Sequence, residues 1–174
     1  YWLFPTMRKP VSYIFNFPEK FISARLDSII VVTDDLARQF KKGHVTIIQN
    51  YPILESIQPK SKYDFESPKL IYAGGLAEER GISKIVEAMK YMDFSKNIKL
   101  ILYGKFQPEC YEEKVRKLRG FEKVEYRGWV KPEHVWEKMP QATIGIVCLR
   151  PVERYTLGIP VKLFEYMAVG LPVV

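Results

Sequence analysis

KLIYAGGLAEERGI (Lys69 to Ile82) passes from an unbroken apolar run to paired glycines, then to a charged loop and the start of a helical period. Continuous rather than alternating hydrophobicity is the pattern of a parallel strand buried on both faces. Apolar residues then recur at Ile82, Ile85, Val86 and Met89, the spacing of one helix face. The same order repeats outward along the chain. SIIVVT (Ser28 to Thr33), IKLILYG (Ile98 to Gly104) and TIGIVCL (Thr143 to Leu149) are further buried-strand candidates, with VTIIQ (Val45 to Gln49) and KVEYRG (Lys123 to Gly128) as shorter ones. Between them, Tyr111, Val115 and Leu118, and then Val135, Trp136 and Met139, carry helical spacing. Alternating strand and helix predict right-handed βαβ units, and so an α/β fold with a Rossmann-like parallel sheet and helices on both faces.

NYPILESIQPKSKYDFESP (Asn50 to Pro68) has three prolines, mixed charge and no sustained period, and reads as a linker over residues 50–68. Residues 1–49 then form the closing part of one α/β domain. In them, Phe17 to Thr33 reads as a helix followed by a buried strand, and Asp34 or Asp35 as the cap of a short helix through Phe40. Residues 69–174 supply most of a second α/β domain, with five strands or strand starts and four helices. The chain begins at Tyr1 without Met and ends on Leu171-Pro172-Val173-Val174, a run that should be entering a buried strand, so a piece of a longer protein is expected.

A hydrophobic content of 47% in 174 residues suffices for a real core, and no low-complexity bias favours disorder. The net charge of +7 suits an anionic partner: a nucleotide diphosphate, an anionic membrane surface or nucleic acid. The basic residues are dispersed, with short groupings at Lys41-Lys42 and at Lys114, Arg116, Lys117 and Arg119. The second grouping lies beside Glu112 and Glu113 on a predicted helix and reads as a solvated mixed-charge face, with peripheral membrane contact as the second reading. Pro5, Arg8, Lys9 and Pro10 break the apolar N-terminal residues well short of a membrane span. Cys110 and Cys148 are far apart and without ligand spacing, and read as reduced thiols of a cytoplasmic protein. His44 and His134 have no ligating neighbours, so no metal and no cofactor are expected.

In open α/β sheets ligands bind beyond the carboxyl ends of the strands, which directs attention to three turns. In YAGGLAEERGI (Tyr72 to Ile82), Gly74 and Gly75 let backbone approach a ligand, and Arg80 can add positive charge at an anion. The same features also fit an ordinary βα turn with Arg80 paired to Glu78 or Glu79. In YRGWVKPEH (Tyr126 to His134), Pro132 is placed to start a helix, and Trp129 or Val130 could wall a nucleobase; core packing of Trp129 is the equal alternative. LRPVERYTLGIPVKLFEYMAVGLPVV (Leu149 to Val174) enters a helix near Pro160, where helix amides and Lys162 could hold a diphosphate. Glu165, about one turn on, can accept hydrogen bonds from vicinal hydroxyls. Alternatively Lys162 and Glu165 form an i,i+3 surface pair on an amphipathic helix.

The order GGL, RG, GWV and PVKLFEYMAVGLPVV resembles the donor-binding domain of the family 4 retaining glycosyltransferases, which have the two-Rossmann-domain GT-B fold. RLDSIIVVTDDLARQF followed by VTIIQNYP is similar to the end of that family's first domain, so the likeness runs from about Phe17 onward. It implies a nucleotide-diphosphate sugar as donor substrate and a carbohydrate or lipid-linked acceptor, in polysaccharide biosynthesis. It places Gly74, Gly75 and Arg80 at the donor diphosphate, Val130 and its neighbours at the base, and Glu165 at the ribose. It further implies hexosyl transfer with retained anomeric configuration, the donor's own phosphate helping to deprotonate the acceptor. Such proteins keep most of the acceptor site in their first half, so this chain by itself is expected to be inactive, and its catalytic residues are not assigned.

Two departures from the family pattern stand out. Gly75 occupies the place where members commonly carry Arg, and Leu157 the place of an earlier glutamate; Glu153 is four positions out of register. Relatives with a P-x-K-L-F-E-Y-M-A form can lack that first acid. A sugar-nucleotide epimerase of the same fold and a noncatalytic relative are the alternatives within the fold. Outside it, the charge and eleven tyrosines raise a nucleic-acid-binding module. No recognition helix, zinc spacing or stacking motif accompanies them, so no nucleic acid is expected.

Overall fold

A computed structural model describes residues 5–40, 44–53, 57, 59–60, 62–92, 97–150 and 160–174. The chain divides into two compact units, Tyr1–Asn50 and Tyr51–Val174.

In the first unit, helix α1 (Pro5–Ser23) leads to strand β1 (Ser28–Val31), helix α2 (Asp34–Ala37) and strand β2 (His44–Ile47). β1 and β2 pair in parallel with Ile29 opposite Val45. Three sequence expectations change here. α1 begins at Pro5, well before Phe17, and contains Pro10 and Pro18 within its span. β1 is not buried on both faces: Ile29 and Val31 are buried, whereas Ile30 between them is 66% exposed. The cap of α2 is Thr33, whose hydroxyl accepts a hydrogen bond from the Leu36 amide at 3.3 Å. Asp34 and Asp35 fall inside the first turn, where their charge suits the positive end of the helix dipole.

The second unit contains strands β3 (Lys69–Ala73), β4 (Lys99–Tyr103), β5 (Val124–Tyr126) and β6 (Ile144–Gly145). They form a parallel four-stranded sheet in the order β5-β4-β3-β6. Helices α3 (Ile82–Met89), α4 (Tyr111–Arg116), α5 (Pro132–Lys138) and α6 (Val161–Val169) connect or follow the strands. Strand alternation sends Leu70, Tyr72, Leu100 and Leu102 to one face, against Ile82, Ile85, Val86 and Met89 of α3 and Tyr111 and Val115 of α4. Ile71 and Ala73 point to the other face, against Val135 of α5, Met139, and Tyr166 and Val169 of α6. Helices therefore cover both faces of an α/β sheet, as the alternating pattern predicts. Full burial of aliphatic side chains such as Ile71, Leu100 and Val86 contributes about 1.5–3 kcal/mol each.

TIGIVCL forms a shorter ladder than its apolar length suggests. Only Ile144 and Gly145 pair regularly with β3, although the Ile146 amide still donates to the Ile71 carbonyl at 2.8 Å. On the far side of β6, the Gly145 amide donates to Pro172 and the Val147 amide to Val174, so the final run aligns in parallel beside it.

Several residues of the stretch read as a linker are tied to the second unit. Ile57 is buried against the core of α5 and α6, and the Lys60 amine donates to the carbonyls of Pro140 and Ala142. The Tyr63 hydroxyl donates to the Gly170 carbonyl, and the Thr143 hydroxyl to that of Asp64. Among the described residues no helix is long and apolar enough to cross a membrane.

Candidate donor site

The site is built where β3 and β4 end side by side. Ala73 and Tyr103 are register partners, and the residue after each is a glycine with φ of 143°, Gly74 and Gly104. The Gly74 amide donates to the Tyr103 carbonyl at 2.8 Å, and the Gly104 amide to the Gly128 carbonyl at 2.8 Å. This backbone conformation is one that side-chain-bearing residues rarely adopt, so a floor without side chains runs across the strand ends. Above that floor lies a cavity of about 440 Å³, within the range of small-molecule sites.

Lys162 and Glu165 of α6 reach this cavity from one side, and Trp129, Val130 and Trp136 line it from the side of α5. Lys105 and Gln107 come from the turn after β4. The helix begins at Val161, with Pro160 in the cap position rather than in the first turn, and Lys162 and Glu165 are one turn apart on it. The Lys162 amine packs directly against Gly74, in the space that a side chain there would fill, and lies 5.6 Å from the centre of the Tyr72 ring. Gly74 thus lets the amine reach the turn.

Arg80 does not line the cavity. It stands behind Gly75, its Nε 3.7 Å from where a Cβ on that residue would lie. Burial chiefly, and the nearby Arg80 charge in addition, hold the Lys162 amine below the usual lysine range, while Glu165 opposes that shift. Among the described residues no carboxylate lies within ion-pair distance of Lys162, so the alternative surface pair with Glu165 does not form. Glu165 instead accepts a hydrogen bond from the Trp136 indole, Nε1 to Oε1 at 3.3 Å. Glu78, a candidate partner of Arg80, pairs with Lys114 at 2.9 Å.

Trp129 is 59% exposed and does not pack into the core; its ring faces the cavity with the Lys105 amine 6.0 Å from its centre. Val130 both lines the cavity and packs on the core beneath α5 and α6. A ligand entering here would meet the Lys162 amine at the β3 turn, with the Arg80 charge behind it, a carboxylate further along α6 and an apolar wall beyond. That sequence of groups matches an anion joined to a polyol and a flat ring. Among the described residues no group of three or more His, Cys, Asp or Glu side chains is placed to hold a metal ion.

Gly74, Gly75, Trp129, Val130, Lys162 and Glu165 therefore border one cavity, with Arg80 just behind it. Sequence reasoning missed Tyr103, Gly104, Lys105, Gln107 and Trp136, which border it too. The signal for four of these was present: IKLILYG ends on glycine like KLIYAG, and the rule that ligands bind at strand carboxyl ends applies equally to that turn. Trp136 carried no such signal, because its spacing fits core packing equally well. Leu157 and Glu153, and the grouping Lys41-Lys42, lie outside the described residues.

Among solved structures, the chain is similar to sucrose-phosphate synthase from Thermosynechococcus elongatus, with a TM-score of 0.71 and 20% identity over 92% of this chain and 43% of that one. It is also similar to Anabaena HepE in complex with UDP and glucose, with a TM-score of 0.66 and 13% identity over 92% of this chain and 47% of that one. WaaG, a glycosyltransferase involved in lipopolysaccharide biosynthesis, matches with a TM-score of 0.59 and 18% identity over 83% of this chain and 42% of that one. The chain thus spans less than half the length of each of these proteins. At such identities the likeness establishes the shared GT-B glycosyltransferase fold. No curated protein matches the sequence. A family model described as Glycosyl transferases group 1 matches residues 67–174, well over half of the chain. The chain belongs to the glycosyl transferases group 1 family.

Proposed function

We propose that the cavity binds the nucleoside diphosphate of a sugar nucleotide, and that the protein passes the sugar to a carbohydrate or lipid-linked acceptor with retention of anomeric configuration. The diphosphate lies against the Gly74-Gly75 turn, met by Lys162 and by the charge of Arg80. The ribose diol donates to Glu165, and the base rests against Trp129 and Val130. The observation that carries this reading is the convergence of a half-buried amine and a carboxylate, one helical turn apart, on a single cavity at the ends of β3 and β4. A phosphate that accepts hydrogen bonds from Lys162 relieves the cost of burying that amine.

Lys162 takes over the neutralising charge that the family usually carries at the position of Gly75. The two side-chain cations make a metal unnecessary for binding. HepE, which shares this fold, has been solved in complex with UDP and glucose, and WaaG is involved in lipopolysaccharide biosynthesis. Both support this choice of donor and acceptor class. Cytoplasmic location, with peripheral contact at a membrane that holds the acceptor, belongs to the same proposal.

Titration of the intact protein with UDP-, GDP- and ADP-sugars tests the reading. One of the three is expected to bind, unaffected by EDTA, and Glu165→Ala is expected to weaken that binding about ten- to hundredfold through loss of hydrogen bonds to a charged acceptor. Absence of binding to all three, or binding indifferent to Glu165→Ala, would sink it. Tight, salt-sensitive binding to random oligonucleotides would favour a nucleic-acid module instead.

A further inference from the structure

We infer that Trp136 is a positioning residue for the hydroxyl-binding carboxylate, and that it confers selectivity for a ribose over a deoxyribose; the inference rests on the donor-site reading above. Lys162 and Glu165 stand three residues apart on α6, the spacing at which oppositely charged side chains pair. Such a pair would remove both groups from the ligand, neutralising the amine meant for phosphate and occupying the carboxylate meant for hydroxyls. It does not form among the described residues. The Lys162 amine is drawn to Gly74 and the Tyr72 ring, and Glu165 is held by the Trp136 indole.

The chemistry of the indole suits this task. It is a neutral donor with no acceptor, so it fixes Oε1 without cancelling the carboxylate charge and without competing for the protons of a diol. A lysine or arginine in its place would neutralise Glu165. Among the described residues Oε2 makes no hydrogen bond, and Oε1 keeps an unused lone pair, so both oxygens remain able to accept from two adjacent hydroxyls. Two hydroxyls on neighbouring carbons can satisfy both oxygens, whereas a ligand lacking one leaves an acceptor short of its partner. Trp136 and Glu165 come from different helices, α5 and α6, that meet the same side of the sheet, so the hydrogen bond also sets the carboxylate relative to the apolar wall.

The test is a set of dissociation constants measured on the intact protein with whichever of UDP, GDP and ADP binds tightest, and with its 2′-deoxy counterpart. Unmodified protein is expected to prefer the ribonucleotide by about tenfold, the worth of one hydrogen bond to a charged acceptor. Trp136→Phe keeps an aromatic ring but removes the N–H. It should weaken ribonucleotide binding several-fold, leave the deoxy compound little changed and so bring the preference close to one. Combined with Glu165→Gln, it should add nothing further, because the two act as one unit. Equal weakening of both ligands by Trp136→Phe would mean that the ring only packs, and would overturn the inference. Retention of the full preference by Trp136→Phe, while Glu165→Gln abolishes it, would overturn the inference and leave the donor-site reading standing. Failure of all three nucleotides to bind would defeat both.

Discussion

Two neighbouring turns, at Gly74 after β3 and at Gly104 after β4, share a positive φ but differ in what fills the space of the missing side chain. Both glycines have φ of 143°, and the amide of each donates to a carbonyl of the adjacent strand end. A Cβ on Gly104 would run into the carbonyl group of Gly74, which is backbone and cannot yield. A Cβ on Gly74 would meet the end of the Lys162 side chain, which can. Gly104 is required by the packing of strand ends, Gly74 by access of one amine to the turn. The same φ therefore answers to backbone packing at one position and to the reach of one lysine at the other.

The sharpest way to break this comparison is to put the same methyl group at both places. Gly104→Ala combines unfavourable φ with a backbone collision, and should cost about 3 kcal/mol or more, seen as a fall in the midpoint of urea unfolding. Gly74→Ala should cost only the conformational strain, about 1–3 kcal/mol, with the Lys162 side chain swinging aside. Its main effect should be on the ligand. Nucleoside diphosphate affinity is expected to fall about ten- to hundredfold, matching Lys162→Met, since both remove one charge-assisted hydrogen bond. Equal stability losses in the two alanine variants, or unchanged binding in Gly74→Ala, would show that the turns do not differ in this way.

Tyr166 supplies the next test, because it anchors α6 to β3 only on the Gly74 side. Its buried hydroxyl accepts from the Ala73 amide at 3.1 Å and donates to the Ile71 carbonyl at 3.3 Å. β6 leaves the ladder after the Ile146 amide, which donates to the Ile71 carbonyl, so the phenol supplies the acceptor for the Ala73 amide and adds a second donor to Ile71. Burial raises the Tyr166 pKa, which keeps the hydroxyl protonated and able to donate. Tyr166→Phe leaves the Ala73 amide without its acceptor and should cost about 1–3 kcal/mol in urea unfolding. A loss no larger than that of an exposed-residue change would contradict the anchoring role.

The sequence made the sheet legible because buried parallel strands announce themselves as continuous apolar runs, and Lys69–Ala73 and Lys99–Tyr103 match theirs almost residue for residue. The cap of α2 was less legible, since Thr33, Asp34 and Asp35 are all good capping residues and only backbone geometry separates them. In the site, Gly74, Lys162 and Glu165 could be picked out because strand ends and a helix start are where ligands bind. The partner each side chain chooses could not. Whether Lys162 turns to Glu165 or to Gly74 depends on where α6 lies against β3, and that is fixed by Tyr166 and the indole of Trp136. Such contacts join residues far apart in the chain and leave no periodic trace.

The smallest expected effect is a pH dependence confined to the Gly74 turn. Because burial and Arg80 lower the Lys162 pKa, the folded protein gives up that proton at a lower pH than the unfolded chain does. Below the folded value the amine is charged in both states, and its burial is a cost to stability; that cost fades as pH rises past the folded value toward the unfolded one. Binding runs the opposite way. A diphosphate favours the charged amine, so affinity should be greatest below the Lys162 pKa and decline several-fold as pH climbs through it, with proton uptake on binding in that window. Dissociation constants measured from about pH 7 to pH 10, a range that ends near the ordinary lysine value, would reveal the decline. Lys162→Met and Gly74→Ala should both flatten the profile, the first by removing the amine and the second by displacing it. A profile that keeps its slope in Gly74→Ala would place the titrating group elsewhere, and the two turns would then differ in packing alone.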